Sequence, residues 1–168
     1  MKKNIHRCAE CGKTVESEKI VIIDNKPICL ACIFGQTKPF KIYPVGQVRN
    51  GLTMKKKDLG LSGPKGISCI DLLPSQKRFM YKLEEEKFLT IVYYLHKTKS
   101  VKSIFKRGLD GKEVGVFASR TPYRLSKIGI QDVKLVKIEG TTLYVEGLDA
   151  VNGSPVLDIK LKWSDLSQ

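Results

Sequence analysis

Hydrophobic residues beyond residue 40 occur in short runs that favour strands. The runs are rich in Val, Ile, Leu, Tyr and Phe, and Gly, Asn, Asp or Ser residues separate them. In chain order they read KIYPVGQVRN, GISCIDLL, KFLTIVYYLHK, EVGVFAS, IGIQDVKLVKIEG, TTLYVEGL and PVLDIKLKW. The fifth and sixth runs predict a hairpin that turns at Glu139 and Gly140. Six or seven short strands predict a mainly β fold, an antiparallel barrel that is closed or nearly closed.

One segment of this part of the chain favours a helix. The sequence PSQKRFMYKLEEEK begins with Pro74 and Ser75, which suit the start of a helix. Phe79, Met80 and Leu83 would then share one face. We therefore expect a barrel with one or two short helices.

Four of the five cysteines form two Cys-x-x-Cys pairs near the start of the chain, with seventeen residues between the pairs. This spacing is typical of a zinc ribbon or knuckle. Four thiolates complete a tetrahedral site, so the predicted Zn²⁺ is structural, with the ligands Cys8, Cys11, Cys29 and Cys32. Two disulfides are the first alternative, disfavoured because no secretory signal is recognisable. A redox Cys-x-x-Cys is the second, disfavoured because neither pair follows a βαβ pattern.

The sequence between the two cysteine pairs predicts a ribbon hairpin. SEKIVIIDNKPICLAC reads as a strand, a turn at Asp24 and Asn25, and a return strand toward the second pair. Gly35, Pro39 and a polar run follow, which indicates a junction near residues 35–40. We expect a zinc-ribbon segment over 1–38 and a barrel domain over 39–168.

Charge and composition narrow the classes of function. Thirty Lys and Arg residues against seventeen Asp and Glu give the 168-residue chain a formal charge of +13. Such a charge favours a polyanionic partner, with nucleic acid the first candidate, although lysines on solvated faces would give the same count. No apolar run approaches the roughly 20 residues of a membrane span, so we expect a cytoplasmic protein. The chain has no glycine-rich phosphate fingerprint, which disfavours a Rossmann-type enzyme.

Three stretches carry a resemblance to a known family. They are FASRTPYR over 117–124, IGI over 128–130 and GLDAVNGSPVLDIKLKW over 147–163. Together with YPVGQVRN and IVYYLHK they resemble the TrmO (TsaA-like) family, over roughly residues 41–163. The resemblance implies a β-barrel, usually a homodimer, that binds S-adenosylmethionine. It also implies N6-methylation of a modified adenosine, threonylcarbamoyl-adenosine, beside the tRNA anticodon.

The same resemblance assigns residues to the methyl-donor pocket. Those residues are His96, Lys97, Arg120, Ile130, Asp149, Ala150, Val151 and Asn152. No residue is assigned a catalytic role, because transfer from a sulfonium can proceed by orienting donor and acceptor. Basic side chains suited to tRNA phosphates are Lys99, Lys102, Lys106, Arg107, Arg124 and Lys127.

Departures from the family pattern leave alternatives open. The chain has Leu125, Ser126 and Lys127 where the family has Pro-Asn-Pro, and Asn152 where the family has an aspartate. Three functions are compatible with these changes. The protein catalyses the family's reaction, methylates a related substrate, or is a non-catalytic nucleic-acid-binding or adaptor protein on a degenerate barrel.

Overall fold

The chain folds into two compact units. The computed structural model describes residues 5–53 and 66–163. One unit holds the described residues up to Lys41 together with Thr98–Ser126, and the other holds those of Ile42–Lys97 and from Lys127 onward. The predicted domains, 1–38 and 39–168, stay a prediction. Spatially, residues 98–126 belong with the cysteine segment.

The cysteine segment consists of two small antiparallel hairpins and one short helix. Its elements are β1 (Ile5–Arg7), β2 (Thr14–Glu16), β3 (Ile20–Ile23), β4 (Lys26–Cys29) and α1 (Leu30–Phe34). The predicted ribbon hairpin is β3–β4. Asp24 and Asn25 form its turn with φ values of 48° and 64°, a left-handed conformation that both residue types tolerate.

The second unit is a closed antiparallel barrel of six strands, which confirms the predicted fold. The strands are β5 (Gly46–Arg49), β6 (Ile67–Leu72), β7 (Phe88–Tyr94), β10 (Ile128–Glu139), β11 (Thr142–Glu146) and β12 (Pro155–Leu161). Their order around the barrel is β10-β11-β6-β5-β12-β7. The β10–β11 hairpin turns at Gly140, which has φ of 63°, as its sequence predicts.

Buried and more exposed side chains alternate along the strands, and the buried ones fill the barrel. In β6 and β7 every second side chain is buried, because successive residues of a strand face opposite sides of the sheet. Ile70, Leu89 and Leu143 are completely buried in this core. Gly129 in β10 lies opposite Tyr93 in β7, and a Cβ added at Gly129 would lie 2.5 Å from the ring carbon Cζ of Tyr93. Only glycine leaves room for the buried Tyr93 ring at this position.

The run EVGVFAS is only partly a strand, and it lies outside the barrel. Strand β9 (Glu113–Gly115) pairs with β8 (Ile104–Lys106) in a separate hairpin. Val116–Ala118 then forms a turn of 3-10 helix. The sequence did not distinguish this hairpin from a barrel strand, because a short apolar run is compatible with both.

The helix predicted over 74–87 does not form. The structure has two 3-10 segments, Pro74–Phe79 and Leu83–Glu85. Lys82 between them has a left-handed backbone with φ of 62°, which interrupts any continuous helix. The predicted apolar face is also absent, since Met80 is buried while Phe79 is 74% exposed. In the ranges 5–53 and 66–163, no helix has the length and apolarity needed to cross a membrane.

Candidate functional site

The four cysteines of the two pairs converge on one point. All four sulfur atoms lie within 4.8 Å of one another. The distances from Cys8 to Cys32, Cys11 to Cys29 and Cys29 to Cys32 are 3.8, 3.9 and 3.5 Å. A tetrahedral zinc with Zn–S bonds of about 2.3 Å requires sulfurs about 3.8 Å apart. The cluster is therefore compatible with a four-thiolate metal site.

Local backbone geometry brings the sulfurs together. Cys8 opens a tight turn in which the Gly12 N–H donates to the Cys8 carbonyl at 3.0 Å, and Gly12 has φ of 71°. Cys29 ends β4 and precedes α1, so Cys32 lies one helical turn further along. The Cys29 N–H donates to the Cys8 sulfur at 3.3 Å.

The same contacts shift the acidity of the thiols. Backbone N–H groups of Cys11 and Cys29 lower the pKa of Cys8 to about 6. Hydrogen bonding to the sulfurs of Cys29 and Cys11 raises the pKa of the Cys32 thiol. Because N–H donors stabilise a thiolate, the backbone favours the form of Cys8 that binds metal.

A second cluster lies in the barrel unit, in the loop between β11 and β12. Backbone hydrogen bonds fasten this loop to β5 and the turn after it. The Gly153 N–H donates to the Val48 carbonyl at 2.8 Å, and the Val48 N–H donates to the Ser154 carbonyl at 2.9 Å. The Asn152 N–H donates to the Leu52 carbonyl at 3.1 Å. The loop is thus held along its second half, Asn152 to Ser154.

Asn50 is a structural centre of this loop that the sequence did not reveal. Its side-chain amide donates to Ser68 Oγ and to the Ala150 carbonyl, both at 2.9 Å. Its backbone N–H donates to Asn152 Oδ1 at 3.0 Å. The available signal was an Asn-Gly pair after a strand, which reads as an ordinary turn. Asn152, where the family pattern has an aspartate, uses its side-chain oxygen in this fastening.

Asp149 carries a buried oxygen without a partner. Among the described residues, its Oδ1 is the buried side-chain polar atom that receives no hydrogen bond. Burial raises the pKa of Asp149 to about 6. Burial and, secondarily, the charge of Asp149 raise the pKa of Tyr93 to about 12. A carboxylate in this setting is poised to accept a hydrogen bond from a bound molecule.

His96 lies beside the same loop. It follows β7 in a turn, and its Nδ1 lies 3.3 Å from Oγ of the buried Ser154. Burial and the neighbouring charge of Lys97 lower the pKa of His96, so the imidazole is neutral at pH 7. The contact with Ser154 places His96 next to the end of the 149–152 stretch.

The remaining predicted pocket residues of the barrel unit differ in what they expose. The side chains of Ala150 and Val151 are buried in the fold, which leaves only their backbone to contact a ligand. Ile130 is 54% exposed and pairs with Val92 across β10 and β7. Lys97 is exposed in the turn after His96.

Arg120 lies in the other unit, within Thr98–Ser126. It is exposed, and its side chain has no hydrogen bond or ion pair to another residue of the described ranges. Two other predicted arginines are engaged locally. Arg107 pairs with Asp110 at 2.5 Å, and Arg124 donates to the Ser119 carbonyl. These two side chains stabilise their own loops.

The predicted lysines are more available to a ligand than Arg107 and Arg124 are. Lys99, Lys102 and Lys106 are exposed, and the Lys102 ammonium lies 4.9 Å from the ring centre of Tyr123. Lys127 directly precedes β10 in the barrel unit and has φ of 53°. Proline cannot adopt this conformation, so the loop that replaces the family's Pro-Asn-Pro follows a different backbone path at residue 127.

Comparisons with known proteins agree on one family. Residues 61–165 match the family model described as "tRNA-methyltransferase O N-terminal domain". A probable S-adenosyl-L-methionine-binding protein of Pyrococcus horikoshii is 34% identical over 128 residues, which cover 73% of this chain and 82% of that protein. The crystal structure of TrmO from Pseudomonas aeruginosa matches with a TM-score of 0.60 and 26% identity, over 74% of this chain and 56% of that one.

A characterised type of enzyme is also among the relatives. The mouse tRNA (adenine(37)-N6)-methyltransferase is 38% identical over 81 residues, which cover 46% of this chain. That match covers 19% of the mouse protein, so this chain spans about a fifth of its length.

We predict that Asp149→Asn stabilises the barrel unit in a pH-dependent way. The pKa of Asp149 is raised in the folded state, so its contribution to the free energy of unfolding falls as pH rises from about 4 to about 6. The variant should be more stable by about 1 kcal/mol at pH 8, a value discounted for the partial exposure of the side chain, and less so at pH 5. Urea unfolding followed by circular dichroism measures the difference. Asp158→Asn is the control, and a difference that is the same at both pH values would contradict the prediction.

Proposed function

This chain belongs to the TrmO family, and from that premise we propose that it is an S-adenosylmethionine-dependent methyltransferase that acts on the N6 atom of a modified adenosine in tRNA. The names of the relatives support both halves of this proposal, the donor and the acceptor. The homodimer and the cytoplasmic location stay predictions of the sequence.

The observation that carries the proposal is the unpartnered oxygen of Asp149. S-adenosylmethionine carries an ammonium, an adenine amino group and ribose hydroxyls, each of which donates hydrogen bonds. A buried carboxylate oxygen without a partner costs free energy that such a donor group would offset. The residues present therefore fit the cofactor at this loop.

The resemblance assigns other side chains to the methyl donor. In the barrel unit the exposed Ile130 offers an apolar surface. In the other unit Arg120 offers a guanidinium suited to a carboxylate. His96, through its contact with Ser154, helps to hold the end of the loop that carries Asp149. Bound S-adenosylmethionine would supply the methyl group. The protein's part is to hold donor and adenosine in line and to exclude water, which needs no strong base.

The exposed lysines support tRNA as the partner. Lys99, Lys102 and Lys106 lie in the same unit as Arg120, and Lys102 sits over an aromatic ring. Lysine ammonium groups suit phosphate oxygens as point charges. We assign the phosphate contacts chiefly to these lysines, because Arg107 and Arg124 already donate within the fold.

We further propose that the four cysteines bind a structural Zn²⁺. Their mutual distances suit a tetrahedral site, and four protein ligands would leave no position for water or substrate. The hydrophobic core of the cysteine segment has few buried side chains, namely those of Cys8, Ile28 and Cys29. A core of this size needs a metal for stability.

Titration calorimetry tests the donor site. We expect the wild type to bind S-adenosylmethionine, and Asp149→Asn or Arg120→Ala to weaken binding by about tenfold or more, since each removes a charged hydrogen-bonding group. Asp158→Asn, whose carboxylate pairs with Lys160, is the matched control. No binding at millimolar donor would sink the enzyme proposal. Retained tRNA binding in that case would favour the non-catalytic nucleic-acid-binding alternative.

Elemental analysis tests the metal. The purified chain should contain about one zinc, because four thiolates bind one ion. Cys11→Ser should lose most of it, whereas Cys69→Ser, which changes the cysteine outside the cluster, should keep it. A wild-type protein that is folded in the ribbon yet free of metal would refute the site.

A further inference from the structure

We propose that the ribbon hairpin β3–β4 anchors the 98–126 segment, with Asp24 as a positioning residue for the loop that carries Arg120. By this inference, metal binding at the cysteines controls the conformation of the loop that carries Arg120. The anchoring itself stands on contacts within one compact unit. The effect of the anchoring on donor binding rests on the proposed function, because only that function gives Arg120 a ligand.

The tip of the ribbon hairpin is bonded to residues 101 and 103. The Asp24 N–H donates to the Val101 carbonyl at 3.2 Å, and Ile23 forms a parallel bridge with Val101. The Asp24 carboxylate accepts hydrogen bonds from both the N–H and the hydroxyl of Ser103. These bonds lower the pKa of Asp24, so the carboxylate is ionised at neutral pH. Residues 79 positions apart are thus joined by several polar contacts.

Further contacts run from Ser103 to the arginine loop. The Val116 N–H donates to the Ser103 carbonyl at 2.9 Å, and the Lys102 N–H donates to the Tyr123 carbonyl at 3.1 Å. Val116 opens the 3-10 turn that leads directly into Ser119 and Arg120. Residues 101–103 therefore bond to the ribbon on one side and to both ends of the arginine loop on the other.

The 98–126 segment has little regular structure and few buried side chains of its own. Its regular structure amounts to the β8–β9 hairpin, with three residues in each strand, and a single 3-10 turn. Its buried side chains are Thr98, Val101 and Val116. An isolated two-stranded hairpin is marginally stable in water, so the segment depends on what it is bonded to.

The ribbon can transmit the state of the metal site because it is short. Cys29 ends β4 and pairs with Ile20, only three register steps from the last pair before the Asp24–Asn25 turn. The cluster of cysteines and the turn are therefore the two ends of one small hairpin. Loss of the metal should release the turn, and with it residues 101–103 and the arginine loop.

Amide hydrogen exchange on the whole 168-residue, zinc-loaded chain tests the anchor. Asp24→Gly removes the carboxylate while glycine keeps the left-handed turn. It should accelerate exchange at Ser103 and Val116 by about three- to tenfold, the loss expected for an exposed charged hydrogen bond. Asn25→Gly is the matched control, because it adds the same flexibility at the other turn position, where φ is 64°. Asp24→Asn should restore slow exchange, since the amide oxygen still accepts from Ser103.

The second measurement separates the anchor from the proposed function. Chelation of zinc from the wild type should accelerate exchange throughout 98–126 and leave Leu89 and Ile91 in β7 slow. Asp24→Gly should raise the KM for S-adenosylmethionine by about three- to tenfold while kcat at saturating donor changes little. Unchanged exchange in Asp24→Gly and in zinc-free protein would overturn the anchor. Faster exchange with an unchanged donor KM would overturn the link to Arg120, and absent donor binding by the wild type would instead count against the proposed function.

Discussion

The buried, unpaired carboxylate oxygen of Asp149 is the constraint that explains the β11–β12 loop. Asp149 Oδ1 is buried without a hydrogen-bond donor from the described residues, while the loop around it is fastened by Asn50, Val48 and Ser154. A rigid backbone that holds an unsatisfied acceptor stores a cost in the free chain and releases it on binding. We therefore propose that this loop is adapted to bind a ligand rather than to stabilise the barrel.

Short-range constraints were readable from the sequence. The cysteine spacing predicted the sulfur cluster, because a tight turn and one helical turn decide where each pair points. Alternating apolar residues predicted the barrel strands, since burial on one face imposes that period. The resemblance named Asp149 and His96, and the structure adds the physical reason that both lie at one fastened loop.

Long-range contacts and local strain were not readable. The bonds between Asp24 and Ser103 join residues far apart in sequence and leave no periodic signal, so the grouping of 98–126 with the ribbon was missed. Lys82 takes a left-handed conformation that lysine rarely adopts. It lies between the two 3-10 segments and interrupts the helix that the sequence predicted. The role of Asn50 was missed because its partners, Ser68 in β6 and Ala150 in the β11–β12 loop, are distant in sequence.

Mass spectrometry of tRNA nucleosides detects the proposed methyl transfer to tRNA itself. Purified wild-type protein, S-adenosylmethionine and tRNA that carries the modified adenosine should yield an added N6-methyl group. Asp149→Asn should yield far less, and Asp158→Asn should match the wild type, because only Asp149 lies in the proposed donor site. An unchanged nucleoside profile with wild-type protein that has bound both donor and tRNA would contradict the account.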